Sequence, residues 1–378
     1  MNAAVGIAAL GQGGLAIAAQ VADGCVCSVR ISSSRPTNLS RLFIGRPAEE
    51  APLLAERIFS LCGVSHRVVS ARAIASARGE TICLRRSQDE AVALLAERLG
   101  STLRASVIML LNDSGGADLA RIGSLGEILS ILRDLCVESL SRSTDKSLSR
   151  RTAKSLIRGV CALGRDHGLR SPRCRDGSAM PGGRVFENLE VEFASGDALA
   201  VAAPDWLSDA DDFEIIRRMR EQGETFAAAP SLPGRAPETG AFARQWRATD
   251  LSKGALAARF EARMIDLAEC FDRLESAEKD EPAGACGISP AVREGSAAVE
   301  TSRGRLYHWV RLSPSDRIQD YRIVAPTEWN FHPAGPFVEA LLGAAVGSSR
   351  AERRIVQLAS LIDPCVPFRV EVKEHGRA

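Results

Sequence analysis

The sequence predicts an α+β protein that is mainly α, a helical core with small antiparallel β-sheets contributed by the N-terminal and C-terminal segments. Three observations carry that expectation. Residues 5–33 alternate apolar and polar positions around Gly-rich turns, the middle of the chain spaces its apolar residues by three and four, and residues 296–324 return to alternation. Alternation puts every second side chain on one face of a strand, whereas steps of three and four line one face of a helix.

Taken in order, Ala22-Asp23-Gly24 lies between two β-prone runs and reads as the turn of an antiparallel hairpin. Residues 47–61 and 65–76 have helical spacing. Ser87 with Glu90, and Ser124 with Glu127, have the form of capping boxes ahead of apolar stripes that begin at Val92 and Ile128. Residues 141–155, rich in Ser, Thr, Lys and Arg, are either a helix junction or a mobile loop with solvated charges. Residues 170–184, rich in Pro, Gly and Arg, read as an exposed connection between two helical blocks. Residues 205–222 and 250–276 read as helices, the second carrying a core stripe of Leu256, Phe260, Met264, Leu267, Phe271 and Leu274. Residues 279–295 read as a linker. The segments expected within one domain of 1–378 are therefore 1–45, 46–168, 169–184, 185–278, 279–295 and 296–378.

A chain of 378 residues with 45% hydrophobic content can bury a sizeable core. Its 48 Lys and Arg nearly cancel its 47 Asp and Glu, so no global field favours nucleic acid or an anionic membrane, and binding must be local. The apolar start has no Lys or Arg before Arg30 and is interrupted by Gly11, Gly13 and Gly14, which argues against a secretory signal. No segment offers the roughly 18 to 20 uninterrupted apolar residues of a membrane span. The expectation is a cytoplasmic protein whose ten cysteines are reduced thiols. Cys25 and Cys27 share a strand face, where a small packed pair without function is expected.

The five histidines show no H-x-x-x-H spacing, and no C-x-x-C accompanies them, so a structural zinc site is not expected. No phosphate-binding loop is present, and the Gly-rich run at 11–14 lacks the following helix of a dinucleotide site. Two segments near opposite ends stand out: residues 57–66, RIFSLCGVSH, and residues 363–368, DPCVPF.

Here the chain resembles the large subunit of nickel-iron hydrogenases, whose first motif reads R-I-C-G-x-C-x-x-x-H and whose last reads D-P-C-x-x-C. Arg57, Ile58, Cys62 and His66 match the first, and Asp363, Pro364 and Cys365 match the last; Phe59 and Phe368 stand where the family has its other two cysteines. Residues 299–309 resemble its E-A-P-R-G-x-x-x-H-W, residues 321–330 its Y-Q-V-V-x-P-T-x-W-N, and Glu238, Gly240, Ala243 and Arg244 its E-x-G-x-x-A-R. Residues 1–76 and 234–371 carry the resemblance, which implies a hydrogenase large-subunit-like fold whose C-terminal β/α segment closes the metal pocket.

The departures imply lost catalysis. The resemblance puts nickel on four thiolates, because soft sulfur donors fix its geometry; a phenyl ring supplies no donor, so no nickel and no enzyme activity are expected. Gln12 stands at the family's proton-relay glutamate, and an amide cannot cycle a proton near neutral pH. Glu371 stands where the mature enzymes end at a histidine. What survives is Cys62 and Cys365 as a two-thiolate clamp, with Arg303 placed to meet a cyanide nitrogen, His66 to donate to the Cys62 sulfur, and Arg57 beside the site. The plain alternatives are a packed cysteine, a core or helix-start histidine, and an arginine paired with Glu300.

The resemblance extends to the shortened large-subunit paralogues of the HupK/HoxV type, the hydrogenase expression/formation proteins. It implies a non-catalytic scaffold that transiently holds an Fe(CN)2CO unit between a HypC-type maturation chaperone with its HypD-type iron-sulfur carrier and the apo hydrogenase large subunit. No nucleic acid or membrane partner is implied. Two other readings compete: a metal-free interaction or regulatory factor that mimics the large subunit, and an enzyme with altered redox chemistry.

Overall fold

The computed structural model describes residues 13–36, 39–113, 119–144, 151–169, 186–194, 199–277 and 286–375. Strands β1 (Leu15–Ala22) and β2 (Cys25–Ser33) form the N-terminal hairpin. Its two turn residues, Asp23 and Gly24, both have positive φ (49° and 77°), the backbone that lets a two-residue turn follow the right-handed twist of its strands. Alternation along β1 buries Leu15, Ile17, Ala19 and Val21. On β2 both Cys25 and Cys27 are exposed, so the pair shares a face as expected but is not packed. The reason is that the intervening Val26 takes the buried position of this edge strand.

Helices follow: α1 (Ala51–Ile58), α2 (Gly63–Arg78), α3 (Leu84–Asp113), α4 (Leu119–Thr144), α5 (Arg151–Asp166) and α6 (Glu187–Ala194). Neither expected capping box is a helix start. Helix α3 begins three residues before Ser87, whose hydroxyl instead accepts from Arg72 at 2.9 Å, and Glu90 pairs with Arg72 and Arg86. Helix α4 likewise begins before Ser124. Tertiary pairing overrides a local signature in the first case. The expected connection at 170–184 lies outside the described residues, as does the centre of the 141–155 segment.

Then come α7 (Asp212–Gln222), α8 (Glu224–Ala228), α9 (Ala241–Gln245) and α10 (Ala255–Ser276). Residues 205–208 are not helical as expected; Ser208 and Asp211 form a capping box on a 3-10 turn, Asp209–Asp211, that runs into α7. The whole predicted stripe of α10 is buried. It packs with α3, α4, α5 and β1 in the largest core, beside Leu99, Leu103, Ile128 and Leu132.

Strands β3 (Cys286–Ala291), β4 (Glu294–Thr301), β5 (Gly304–Leu312) and β6 (Ile318–Val324) form a four-stranded antiparallel sheet in sequence order. The expected linker at 279–295 is thus corrected, since β3 occupies its second half. The Pro, Gly and charge content of the segment does not exclude a strand, because β3 is an edge strand with a register shift between Ile288 and Ala291, where the missing N–H of Pro290 is tolerated. Helix α2 covers this sheet, burying Val68, Val69, Ala73 and Ile74 against Val299, Leu306 and Val310.

The chain closes through α11 (Pro326–Asn330), α12 (Pro336–Leu341), α13 (Ala351–Ile362) and β7 (Phe368–His375). Strand β7 pairs with β1 in parallel, from Leu15 opposite Phe368 to Ala22 opposite His375, so the terminal sheet has order β2-β1-β7 and is mixed. No helix among the described residues is long and apolar enough to cross a membrane.

A buried ionic network ties the helices to the sheet. Asp266 on α10 is fully buried and accepts from Arg98 of α3 (Nε at 3.0 Å) and from Arg244 of α9 (2.8 and 3.0 Å). Arg244 also reaches Glu300 on β4 at 2.8 Å; Glu300 in turn accepts from Arg305, which pairs with Asp212 of α7. Burial alone pushes a carboxyl upward, but Arg244 and Arg98 outweigh it and hold Asp266 well below the carboxylate range.

Candidate functional site

Cys62 ends a tight 3-10 turn, Ser60–Cys62, between α1 and α2. Glu97 of α3 reaches under this turn and accepts from the Val64 and Ser65 amides at 2.8 and 2.9 Å and from the Ser65 hydroxyl. A carboxylate on the free N–H groups of a helix start satisfies them and complements the helix dipole, which fixes the residue just before it. That residue is Cys62.

Cys365 arrives from the other end of the chain. Helix α13 stops at Asp363, a non-glycine in the left-handed region (φ 59°), and the carboxylate of Asp363 is held by Arg303 Nη2 at 3.1 Å. The Cys365 amide donates to Thr327 Oγ1 at 3.1 Å, and the Thr327 hydroxyl donates to Cys365 Sγ at 3.2 Å. Beyond Cys365 the Leu15 amide donates to the Pro367 carbonyl at 2.9 Å, which launches β7 along β1.

Both cysteines line one cleft of about 470 Å3. Arg35, Phe59, His66, Arg303, Thr327 and Glu328 line it too, with apolar walls from Leu306, Ala325, Pro326 and Phe331. Arg303 sits in the β4–β5 turn, its carbonyl 2.9 Å from where a Cβ on Gly240 (φ 112°) would lie, so only glycine lets the two loops touch. The Arg303 side chain is buried, and its Nε and Nη1 have no hydrogen-bond partner. It pairs with Asp363, whereas Glu300 takes Arg244 and Arg305.

The electrostatics follow from burial. Loss of water pushes the Cys62 thiol up, and Cys365 and Glu97 push it further, against the opposing pull of Arg303 and Arg35. Cys62 should therefore resist iodoacetamide at pH 8 while the exposed Cys25, Cys27 and Cys83 react, since only the thiolate attacks. Its labelling should rise only at higher pH; mass spectrometry finding Cys62 modified as fast as Cys83 at pH 8 would contradict this.

His66 does not meet the cysteine as expected. Its ring stacks on Phe59 (centroids 3.9 Å apart, planes at 14°), and its Nδ1 bonds His308 Nε2 at 2.9 Å. The Tyr321 hydroxyl donates to Ser70 at 2.7 Å, so His308 Nδ1 donates to Tyr321 at 2.7 Å and its Nε2 is left to accept from His66. That one-way chain leaves His66 Nε2 without a proton to give a sulfur. Burial, aided by Arg35, lowers His66 to about 3, and burial also drives His308 well down, so both rings are neutral.

Three other expected positions are placed elsewhere. Arg57 is exposed on α1 and does not line the cleft, because its position on that helix faces solvent. Phe368 does not line it either; as the first residue of β7 it packs, half-buried, on the main core, so of the two phenylalanines at lost cysteine positions Phe59 alone lines the cleft. Glu371 is exposed on β7 beside Lys373 at 3.4 Å. Gln12 lies outside the described residues. Sequence reasoning missed Arg35, Glu97, Thr327 and Glu328, of which only Thr327 stands at a defined motif position. Among the described residues no three His, Cys, Asp or Glu side chains group as a metal site.

Comparison with known proteins agrees with this architecture. The profile of a family described as nickel-dependent hydrogenase matches residues 225–370. The hydrogenase expression/formation protein HupK of Rhizobium leguminosarum bv. viciae is 35% identical, over 98% of this chain and 99% of its own. HoxV of Cupriavidus necator, with the same description, is 28% identical over 91% and 93%. Among solved structures, a nickel-iron-selenium hydrogenase chain from Desulfovibrio vulgaris Hildenborough superposes with a TM-score of 0.67 at 16% identity, covering 91% of this chain and 94% of that one. That likeness establishes a shared fold.

Proposed function

This chain belongs to the HupK/HoxV family of hydrogenase expression/formation proteins and so has a role in hydrogenase maturation, and from that premise we propose that it is a non-catalytic scaffold holding an Fe(CN)2CO unit on Cys62 and Cys365. The observation that carries the reading is the convergence of two thiols from opposite ends of the chain in one cleft with Arg303, whose Nε and Nη1 are buried and uncommitted. Buried donors without partners are costly, and an anionic ligand that accepts from them removes that cost.

The iron unit is cargo that brings its own diatomic ligands. Each new Fe–S bond replaces one that the iron gives up to its donor: a thiol of this chain loses its proton as the departing donor ligand takes one up, so charge balances and the iron's oxidation state is unchanged. The upward push on Cys62 makes its thiolate costly without a metal and returns the proton readily when the cargo leaves. Thr327 keeps Cys365 oriented in both states. Two sulfur donors give a releasable grip, consistent with receipt from a HypC-type chaperone and HypD-type carrier and delivery to an apo large subunit in the cytoplasm. Nickel is not expected, because Phe59 puts a ring into the cleft where a further thiolate would be needed.

The test is infrared spectroscopy of protein purified anaerobically from cells expressing the maturation machinery. Cyanide and carbonyl stretches should be present in the native protein and lost in both Cys62→Ser and Cys365→Ser. A native protein without those bands, whose double serine variant still supports hydrogenase maturation, would point to the metal-free interaction factor instead.

A further inference from the structure

A second, smaller cavity of about 20 Å3 shares only Arg303 with the cleft. Its walls include residues 238–242, the β4–β5 turn, the end of α13 and one face of α10. Arg259 and Arg263 stand four residues apart on α10, so both present to this cavity, and they are only 5% and 4% exposed. Arg259 gives both terminal nitrogens to Glu238 and rests on the Phe242 ring, which leaves its Nε without a partner. Arg263 gives Nη2 to the Ser360 and Leu361 carbonyls at 2.9 and 2.6 Å, and its Nη1 has no partner. Glu238 neutralises Arg259 and Asp363 neutralises Arg303, but Arg263 meets only the partial charges of carbonyls at the end of α13. Among the described buried arginines whose ionisation the surroundings shift, Arg263 alone is pushed down, because lost hydration outweighs the pull of Asp363 and Asp266.

We propose that this cavity binds a single-atom anion, a halide such as chloride, which accepts from Arg263 Nη1 and Arg259 Nε. Size sets the class of ligand. A water needs roughly 10–15 Å3 of such space, so the cavity takes one particle and shuts out carboxylate, sulfate and phosphate. A water would meet the two donors but leave the Arg263 charge buried and uncompensated, whereas a halide answers both costs. The site exists only where α10 meets the end of α13, two residues ahead of Cys365. An anion that fixes Arg263 there braces the turn that delivers that thiol.

Bromide is the probe. Crystals of the full chain grown in sodium bromide, with diffraction recorded at the bromine absorption edge, should show an anomalous peak between Arg259 and Arg263. In solution, the thermal midpoint should rise with chloride or bromide relative to gluconate at equal ionic strength, since an ion that binds only the folded state stabilises it. Arg263→Met, checked for folding by circular dichroism, should lose that rise. If the methionine variant does not fold, the native protein's bromide peak and halide dependence decide alone. Density at this place without anomalous signal, a native midpoint that follows ionic strength only, or a rise that survives in Arg263→Met would each overturn the proposal. None of these readouts involves iron, so their failure leaves the scaffold reading intact.

Discussion

Asp266→Asn should destabilise the protein by about 3–5 kcal/mol, because it removes the charge that compensates two buried arginines at once. Arg98 and Arg244 converge on that carboxylate from α3 and α9, and neither has water to turn to: the Arg98 side chain is 3% exposed and Arg244 18%. Arg244 would retain Glu300, but Arg98 would keep only the neutral amide. Urea unfolding followed by circular dichroism should show the midpoint falling sharply. Glu214→Ala, which breaks a half-buried surface cluster with Arg217 and Arg218, should lower it far less. A loss below about 1 kcal/mol for Asp266→Asn would mean that the network contributes little.

The second large effect is acid sensitivity set by the two buried histidines. In the unfolded chain each imidazole titrates near 6.5, whereas His66 is lowered to about 3 and His308 lies well below its ordinary value. Below pH 6.5 the unfolded state therefore binds two protons that the folded state refuses, and stability falls as pH falls. With about 1.4 kcal/mol per pH unit for each ring, the slope approaches about 2.7 kcal/mol per unit. It persists until His66 itself titrates near 3. Urea midpoints measured from pH 7 to 5 should drop accordingly, and His66→Gln with His308→Gln should flatten the dependence. Midpoints that stay level over that range in the native protein would show that the rings are protonated in place.

The hairpin was legible because Asp23-Gly24 supplies the turn that alternation demands, and α10 because its stripe runs unbroken from Leu256 to Leu274. The starts of α3 and α4 were not, since a serine three before a glutamate caps a helix only if nothing precedes it. Strand β3 was hidden by the Pro, Gly and charge content that made 279–295 look like a linker. The meeting of Cys62 and Cys365 followed from motif register alone, as no local pattern links residues 303 positions apart. Arg35, Glu97 and Glu328 were illegible for a related reason. A lone charge in a sequence looks solvated, and only the fold reveals which ones are enclosed. His66 misled in the other direction: its motif position pointed to the sulfur, while His308, invisible as a partner at that distance, claimed its nitrogen.

The parallel pairing of β7 with β1 has a consequence for biosynthesis. It zips together stretches roughly 350 residues apart, and the tract carrying Cys365 lies just ahead of that seam. Closure of so long a loop is a late and slow event. While the ribosome is still elongating, the nascent polypeptide displays Cys62 without its counterpart, so the two-thiol cleft stays open on one side until the distant tract is made. The cleft is assembled only once translation has passed β7, which makes the seam a completeness check on its geometry.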